Sequence, residues 1–134
     1  MKKLSSILFC ALLLSFTNAD AGYFDRDIKV GTYDLRGSNT KAGYTDYTGS
    51  VVITRQGDNY KLVWHIDGFQ TLTGIGVVEG DVLSVAYCDI ETGNWGVISF
   101  KIDIFSEELD GRWASSTSTG CAYERLTWRS YYTY

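Results

Sequence analysis

The sequence contains a single histidine, His65, and no proline. A Ser-His-Asp or Cys-His catalytic arrangement would have to use this one imidazole, and no nucleophile turn lies beside it. The alternation of the surrounding residues places His65 opposite Leu62 and Trp64, which predicts an outward-facing side chain. We therefore expect no catalytic residues and no enzymatic activity.

Patterns that bind metals are missing as well. With one histidine, the chain offers too few ligands of suitable spacing for a zinc site, and the regular ligand alternation of a calcium loop does not occur. A glycosidase-type carboxylate pair is the remaining enzymatic alternative, and it is defined by the distance between its two carboxyl groups in the folded protein. We expect no metal and no cofactor, because the carboxylates fall at predicted turns and strand ends, where solvated or turn-capping roles are usual. These carboxylates are Asp67, Asp89, Glu91, Asp103, Glu107, Glu108 and Asp110.

Basic residues are in the minority, with 12 Lys and Arg against 16 Asp and Glu and a formal net charge of −4. A negative chain is a poor partner for polyanions, because its charge repels phosphates. Nucleic acid and anionic membrane surfaces are therefore not expected as main partners.

Only the N-terminus carries a long apolar run. Lys2 and Lys3 precede the run at residues 4–16, and the small-x-small sequence at residues 19–21 follows it, as in a secretory signal peptide. The run is shorter than the roughly 20 residues of a membrane-spanning helix. We predict a signal peptide at residues 1–21 and a single secreted domain at residues 22–134, periplasmic or extracellular, without stable membrane insertion. A retained anchor is the alternative.

Two of the three cysteines, Cys88 and Cys121, remain after this cleavage. An exported protein meets an oxidising compartment, and two cysteines permit one intramolecular pairing. Closing the intervening loop would stabilise the fold by roughly 3 to 4 kcal/mol. The sequence thus predicts a disulfide between Cys88 and Cys121, with free buried thiols as the alternative.

Short apolar runs separated by Gly, Asp and Asn predict a series of β-strands joined by tight turns. The clearest hairpin has Gly57-Asp58-Asn59 at its turn, whereas residues 36–46 predict a long loop over one end of the fold. Eight strands leave exposed edges unless the sheet closes, so we predict an all-β, eight-stranded antiparallel up-and-down barrel, with a β-sandwich as the alternative. The predicted strands are residues 28–35, 48–56, 60–66, 70–77, 82–88, 96–104, 107–114 and 121–129.

Aromatic residues are abundant, with four Trp and ten Tyr. An eight-stranded barrel either fills its interior with side chains or holds one small ligand. Strand alternation turns one set of side chains inward, and these are the predicted ligand-binding residues: Leu62, Trp64, Tyr87, Phe100 and Trp113. A second set in or beside loops would form a surface for a protein or glycan: Tyr44, Tyr47 and Trp95.

The first predicted strand carries Gly31-Thr32-Tyr33, and the last carries Arg125 and Arg129. This arrangement resembles the calycin group, the lipocalin-like and avidin-like barrels, in which a Gly-x-Trp on the first strand packs against a basic residue of the last. Tyr33 stands where those families have Trp. The meander is also similar to a set of small secreted bacterial proteins.

Two functions follow as alternatives. The eight-strand count, the inward aromatics and the resemblance favour a non-catalytic binding protein that holds a small apolar or amphipathic ligand inside the barrel. Loop aromatics around a filled barrel would instead favour a surface interaction or inhibitor module. An interior cavity distinguishes the first from the second.

Overall fold

The computed structural model describes residues 24–68, 70–105 and 107–131, so the predicted signal peptide lies outside the described residues. Within them, eight antiparallel strands pair in sequence order and the last pairs with the first, which closes the barrel. The predicted fold is confirmed, and the sandwich alternative is wrong. The strands are β1 Gly31–Ser38, β2 Tyr47–Gln56, β3 Asn59–Ile66, β4 Gln70–Glu79, β5 Val82–Asp89, β6 Trp95–Ile102, β7 Glu108–Ser115 and β8 Ala122–Ser130.

Alternation along each strand separates an apolar interior from a polar exterior. On β6, for example, the even-numbered residues from Gly96 to Ile102 are buried and the odd-numbered ones are exposed. Near one end of the barrel the interior is filled, because ten large side chains there are at most 1% exposed. These are Tyr33, Leu35, Val51, Ile53, Leu62, Leu83, Phe100, Ile102, Leu109 and Leu126.

The segment before β1 closes this filled end. The Arg26 backbone N–H donates to the Gly80 carbonyl at 2.8 Å, and its guanidinium donates to the Ile102 carbonyl at 3.2 Å. Ile28 is 5% exposed and packs into the core, with its backbone N–H 3.4 Å from the Tyr60 hydroxyl. This end is therefore covered by backbone and side chains together.

The first strand begins three residues later than predicted. Residues 28–30 join no strand, because they belong to the segment that crosses the closed end. Gly31 has a φ of 136°, and a Cβ at this position would collide with the Ser130 carbonyl of β8. The chain therefore turns into the sheet at a glycine, which only a residue without a side chain permits there.

Several inward-facing glycines make room for aromatic rings. A Cβ on Gly37 would fall inside the Tyr47 ring, and one on Gly96 would meet the Tyr87 ring, each glycine being the cross-strand partner of that tyrosine. A Cβ on Gly74 would likewise crowd the Trp64 ring. Glycines under aromatic rings let large side chains lie across the barrel without widening it.

The predicted disulfide is not formed, and both Cys88 and Cys121 are free. Cys88 ends β5 beside Trp95 of β6, whereas Cys121 directly precedes β8. Two strands lie between them, so at about 4.8 Å per strand the two residues are farther apart than the roughly 7 Å that a disulfide can span. The number of cysteines indicated which two could pair, but the sequence did not show how far apart they lie around the barrel.

The exterior carries the basic residues that the calycin resemblance placed across the first strand. Arg129 pairs with Asp34 at 2.7 Å and Arg125 with Asp110 at 2.6 Å, and all four side chains are about half exposed. Tyr33 faces inward and donates to the Lys29 carbonyl at 2.6 Å, so neither arginine packs on it inside the barrel.

Within the described part of the chain, no helix has the length and hydropathy needed to cross a membrane.

Candidate functional site

The barrel contains a pocket of about 300 Å³ at the end opposite the N-terminal segment. It lies where β1, β3, β5 and β7 end and where the other four strands begin, and residues of β2 to β8 line it together with Asn39, which directly follows β1. Half of the side chains that line it are aromatic or aliphatic, and the other half carry amide, hydroxyl or carboxyl groups. They are Asn39, Tyr47, Ile66, Gln70, Leu72, Tyr87, Asp89, Asn94, Ile98, Trp113, Ser115 and Glu124.

Glu124 lies at the inner end of this pocket, at a point where polar groups are rarely found. It projects from β8 into the barrel and is only 6% exposed. Its Oε1 accepts a hydrogen bond from the Trp64 indole at 3.0 Å, and its Oε2 accepts one from the Tyr47 hydroxyl at 3.1 Å. We refer to Tyr47, Trp64 and Glu124 as the polar floor.

The neighbours of Glu124 explain how a carboxyl fits inside the barrel. Its partners across β1 and β7 are Gly37 and Gly111, which carry no side chain to compete for the space. The Tyr47 ring crosses over Gly37 to reach the carboxyl. The polar floor therefore depends on two glycines as well as on the three polar residues.

Burial changes the acid-base properties of the polar floor. Loss of hydration raises the pKa of Glu124 from 4.5 to about 7, although the hydrogen bonds from Trp64 and Tyr47 oppose the rise. Burial also raises the pKa of Tyr47, with the Glu124 carboxyl adding to the rise and the Trp113 indole opposing it. Burial, together with the nearby Glu124 carboxyl, raises the pKa of Tyr87 as well. Glu124 therefore changes its charge near neutral pH.

Trp113 contributes an unused hydrogen-bond donor to the pocket. Its Nε1 is buried and forms no hydrogen bond of ordinary geometry with the described residues, although it lies near enough to the Tyr47 hydroxyl to oppose the rise in the pKa of that group. A buried donor without a partner costs about 1 to 3 kcal/mol. An acceptor atom on a bound molecule would recover that free energy.

The rim is ordered by a second carboxylate. Asp89 is 6% exposed and accepts hydrogen bonds from the Gln70 amide at 3.2 Å and from the backbone N–H groups of Glu91 and Thr92. These bonds, with that of Gln70 foremost, lower the pKa of Asp89, so it stays ionised at neutral pH. Asp89 thus fixes the β5–β6 turn, the role expected of turn carboxylates, while also lining the pocket.

The predicted ligand-binding residues divide between the pocket and the filled core. Tyr87 and Trp113 line the pocket, and Trp64 lies beneath it with no exposure of its own. Leu62 and Phe100 face inward as predicted, but they lie in the filled half and do not line the pocket.

The predicted surface aromatics divide as well. Tyr44 and Trp95 are exposed, by 63% and 61% respectively. Tyr47 turns inward to Glu124, so its assignment to the surface was wrong. Strand β2 begins one residue earlier than predicted, which places Tyr47 at the start of the strand and on its inner face.

Sequence reasoning missed Glu124 altogether. A signal was present, since Ala122, Glu124 and Leu126 alternate along β8 on the side that faces the core. A charged residue on an apolar face is a candidate for function because its burial has to be compensated.

Among the described residues, no group of three or more His, Cys, Asp or Glu is placed to hold a metal ion.

No protein-family model matches the chain. No curated protein matches it either. Similar solved structures include a fatty-acid-binding protein from Manduca sexta, with 14% identity, a TM-score of 0.46 and coverage of 76% of this chain and 100% of that one. Another is a Schistosoma mansoni fatty acid binding protein in complex with arachidonic acid, with 16% identity, a TM-score of 0.44 and coverage of 75% and 96%. Likeness at this level assigns the chain to no family.

Proposed function

We propose that this protein is a non-catalytic binding protein that holds one small amphipathic molecule in the pocket at the open end of the barrel. The observation that carries the proposal is the coincidence of an open pocket with a polar floor at its inner end. Ligand pockets commonly measure about 300 to 1,000 Å³, so this one suits a small ligand. Protein interiors are normally close-packed, and the pocket departs from this at one end of the barrel only.

The pocket favours an amphipathic ligand over a purely apolar one. Ile66, Leu72 and Ile98 supply aliphatic wall, and Tyr87 adds an aromatic ring with a polar tip. Glu124 at the inner end and the Trp113 N–H in the wall offer hydrogen-bonding groups to polar atoms of a ligand. A ligand with an apolar body and one polar end satisfies both regions at once.

Binding is better supported than catalysis by the composition of the pocket. Neither cysteine nor histidine is among the described residues that line it, and His65 is exposed on the outer face of β3. The Tyr47 hydroxyl and the Trp64 indole donate to the two carboxyl oxygens of Glu124 and hold its side chain in place. Glu124 therefore resembles a fixed recognition group more than a member of an acid, base and nucleophile set. The signal-like N-terminus supports export, and we propose a periplasmic or extracellular location.

Blocking the pocket tests the proposal. Leu72 lines the pocket from β4, whereas Ile75 on the same strand faces outward and is 52% exposed. Leu72→Trp should fill the space and abolish saturation transfer from the protein to a mixture of phenethylamine, phenethyl alcohol and hexanoate in ligand-observed NMR. Ile75→Trp adds the same bulk outside and should leave the signal unchanged.

Overpacking at Leu72 costs typically about 1 to 3 kcal/mol, so a thermal melt must show that the variant is folded. Ser115→Trp blocks the pocket from β7 and gives an independent check. Equal signals from the parent protein and both pocket variants would show that the fragments bind elsewhere, and the proposal would then fail.

A surface interaction module is the second candidate, and one observation favours it. Ile75, Ala86, Val97 and Ala114 are successive cross-strand neighbours on the outside of β4 to β7, and they form an apolar stripe close to Trp95. Ile75 and Val97 are each more than half exposed. If Ile75→Trp rather than Leu72→Trp removed binding of a partner, this stripe would be the functional surface.

A further inference from the structure

We infer that the pocket selects a small organic cation, a protonated amine carried on a compact apolar or aromatic body. This inference rests on the proposed function, because it names the chemical class of the ligand of the same pocket. The charged groups and aromatic rings around the polar floor support it.

The charged groups of the pocket have one sign. Glu124 of β8 lies at the inner end and Asp89 of β5 at the rim, and both are 6% exposed. Among the described residues that line the pocket there is no lysine, arginine or histidine. An anionic ligand would meet two carboxylates without a counterion, whereas a cation would be attracted by both.

Glu124 is also a carboxylate without a cationic partner. Both groups that hydrogen-bond to it, the Trp64 indole and the Tyr47 hydroxyl, are neutral donors. A carboxylate has about four acceptor sites, of which these two donors use one on each oxygen. Buried charges in proteins are normally paired, so an ammonium donating to the free sites would complete the arrangement.

Aromatic rings surround the place where this ammonium would lie. Tyr47, Tyr87 and Trp113 line the pocket, and the Trp64 ring lies 6.2 Å from that of Tyr87. The faces of such rings attract cations at separations of up to about 6 Å. A carboxylate surrounded by aromatic rings suits an ammonium better than it suits a neutral hydroxyl.

The groups facing Glu124 also set the pH dependence of binding. Tyr47 of β2, Trp64 of β3, Tyr87 of β5 and Trp113 of β7 are uncharged at neutral pH, so the charge at the polar floor is that of Glu124 alone. Asp89 stays ionised because its pKa is lowered. Protonation of Glu124 below about pH 7 should therefore weaken the binding of an ammonium by up to about tenfold per pH unit.

Three probes with one aromatic body test the inference by calorimetry: phenethylamine, phenethyl alcohol and phenylacetate. At about pH 8 the ammonium should bind at least about tenfold more tightly than the alcohol, and the carboxylate should bind most weakly. The ammonium stays protonated throughout, since the pKa of such amines is about 10. Lowering the pH towards 5 should therefore weaken the binding of the ammonium alone.

Two matched variants assign the selectivity to Glu124. Glu124→Gln keeps an acceptor for the Trp64 indole and should remove both the preference for the ammonium and its pH dependence. Glu79→Gln removes the same charge from an exposed position at the closed end and should leave both unchanged. A thermal melt of each variant shows that it is folded.

The outcomes separate this inference from the proposed function. Equal affinity for the ammonium and the alcohol, or a preference that survives Glu124→Gln, overturns the cation inference while leaving a ligand in the pocket. Failure of phenethylamine to bind at millimolar concentration overturns it as well. The proposed function falls if Leu72→Trp and Ser115→Trp both leave the binding of every fragment unchanged.

Discussion

Replacing Trp64 by alanine should lower the free energy of unfolding by about 3 to 5 kcal/mol, the range for a large aromatic residue removed from a packed core. The Trp64 ring is completely buried, lies over Gly74 and packs near Tyr87. Its removal leaves a cavity beneath the pocket and deprives Glu124 of one of its two hydrogen bonds. Both losses act in the same direction, and urea unfolding followed by circular dichroism measures their sum.

Trp95→Ala is the matched control for this substitution. Trp95 is 61% exposed at the start of β6, so its removal should change stability by no more than about 1 kcal/mol. Similar losses in the two variants would contradict the assignment of Trp64 to the interior and of Trp95 to the surface.

Glu124→Gln should change the pH dependence of stability by about 3 kcal/mol between acidic and neutral conditions. The pKa of Glu124 is raised from 4.5 to about 7 in the folded protein, chiefly by burial. Below pH 4.5 the carboxyl is protonated in both the folded and the unfolded states and contributes no pH dependence. Between these values the unfolded chain releases the proton and the folded protein keeps it, so stability falls as the pH rises.

The Gln variant lacks this proton, so its stability relative to the parent protein should increase as the pH is raised from about 4 to about 8. Urea unfolding at a series of pH values gives the difference, and subtraction removes the effects of the other carboxyls. This matters because Asp89 and Asp103, with lowered pKa values, contribute the opposite slope. Parallel curves for the two proteins would mean that Glu124 titrates as an ordinary surface carboxyl.

The sequence predicted the barrel because its local signals agree with one another. Gly57, in the hairpin turn that the sequence marked, and Gly80, between the predicted strands at residues 70–77 and 82–88, both have positive φ values. Alternation along β3 and β6 placed Leu62, Trp64 and Phe100 correctly on the inner face. These features depend on neighbours along the chain, which a single sequence shows directly.

The site was harder to predict because it depends on residues that meet across the barrel. Glu124 meets Tyr47 and Trp64, which are 77 and 60 positions away along the chain. The disulfide prediction failed for the same reason, since two strands separate Cys88 from Cys121 around the barrel. Tyr47 was placed on the surface because β2 was predicted to begin at residue 48, one residue too late for its inward orientation to be recognised.

The pocket itself could not be predicted from strand count. A barrel of eight strands is compatible with a filled or a hollow interior, and this one is filled at the closed end and open at the other. The difference arises from where the large side chains lie along each strand. Leu35, Ile53 and Leu83 fill the closed half, whereas the side chains above the polar floor leave space between them.

The four tryptophans allow one measurement to test whether a ligand occupies this pocket. Trp64 and Trp113 lie at the polar floor and pocket wall, Trp95 is exposed on the outside, and the Trp128 indole donates to the Val30 carbonyl near the closed end. In ¹H–¹⁵N NMR spectra, titration with phenethylamine and with phenethyl alcohol should shift the indole signals of Trp64 and Trp113 saturably. The signals of Trp95 and Trp128 should stay in place. Shifts confined to Trp95, or no saturable shift at Trp64 and Trp113 with either probe, would contradict a ligand site at the polar floor.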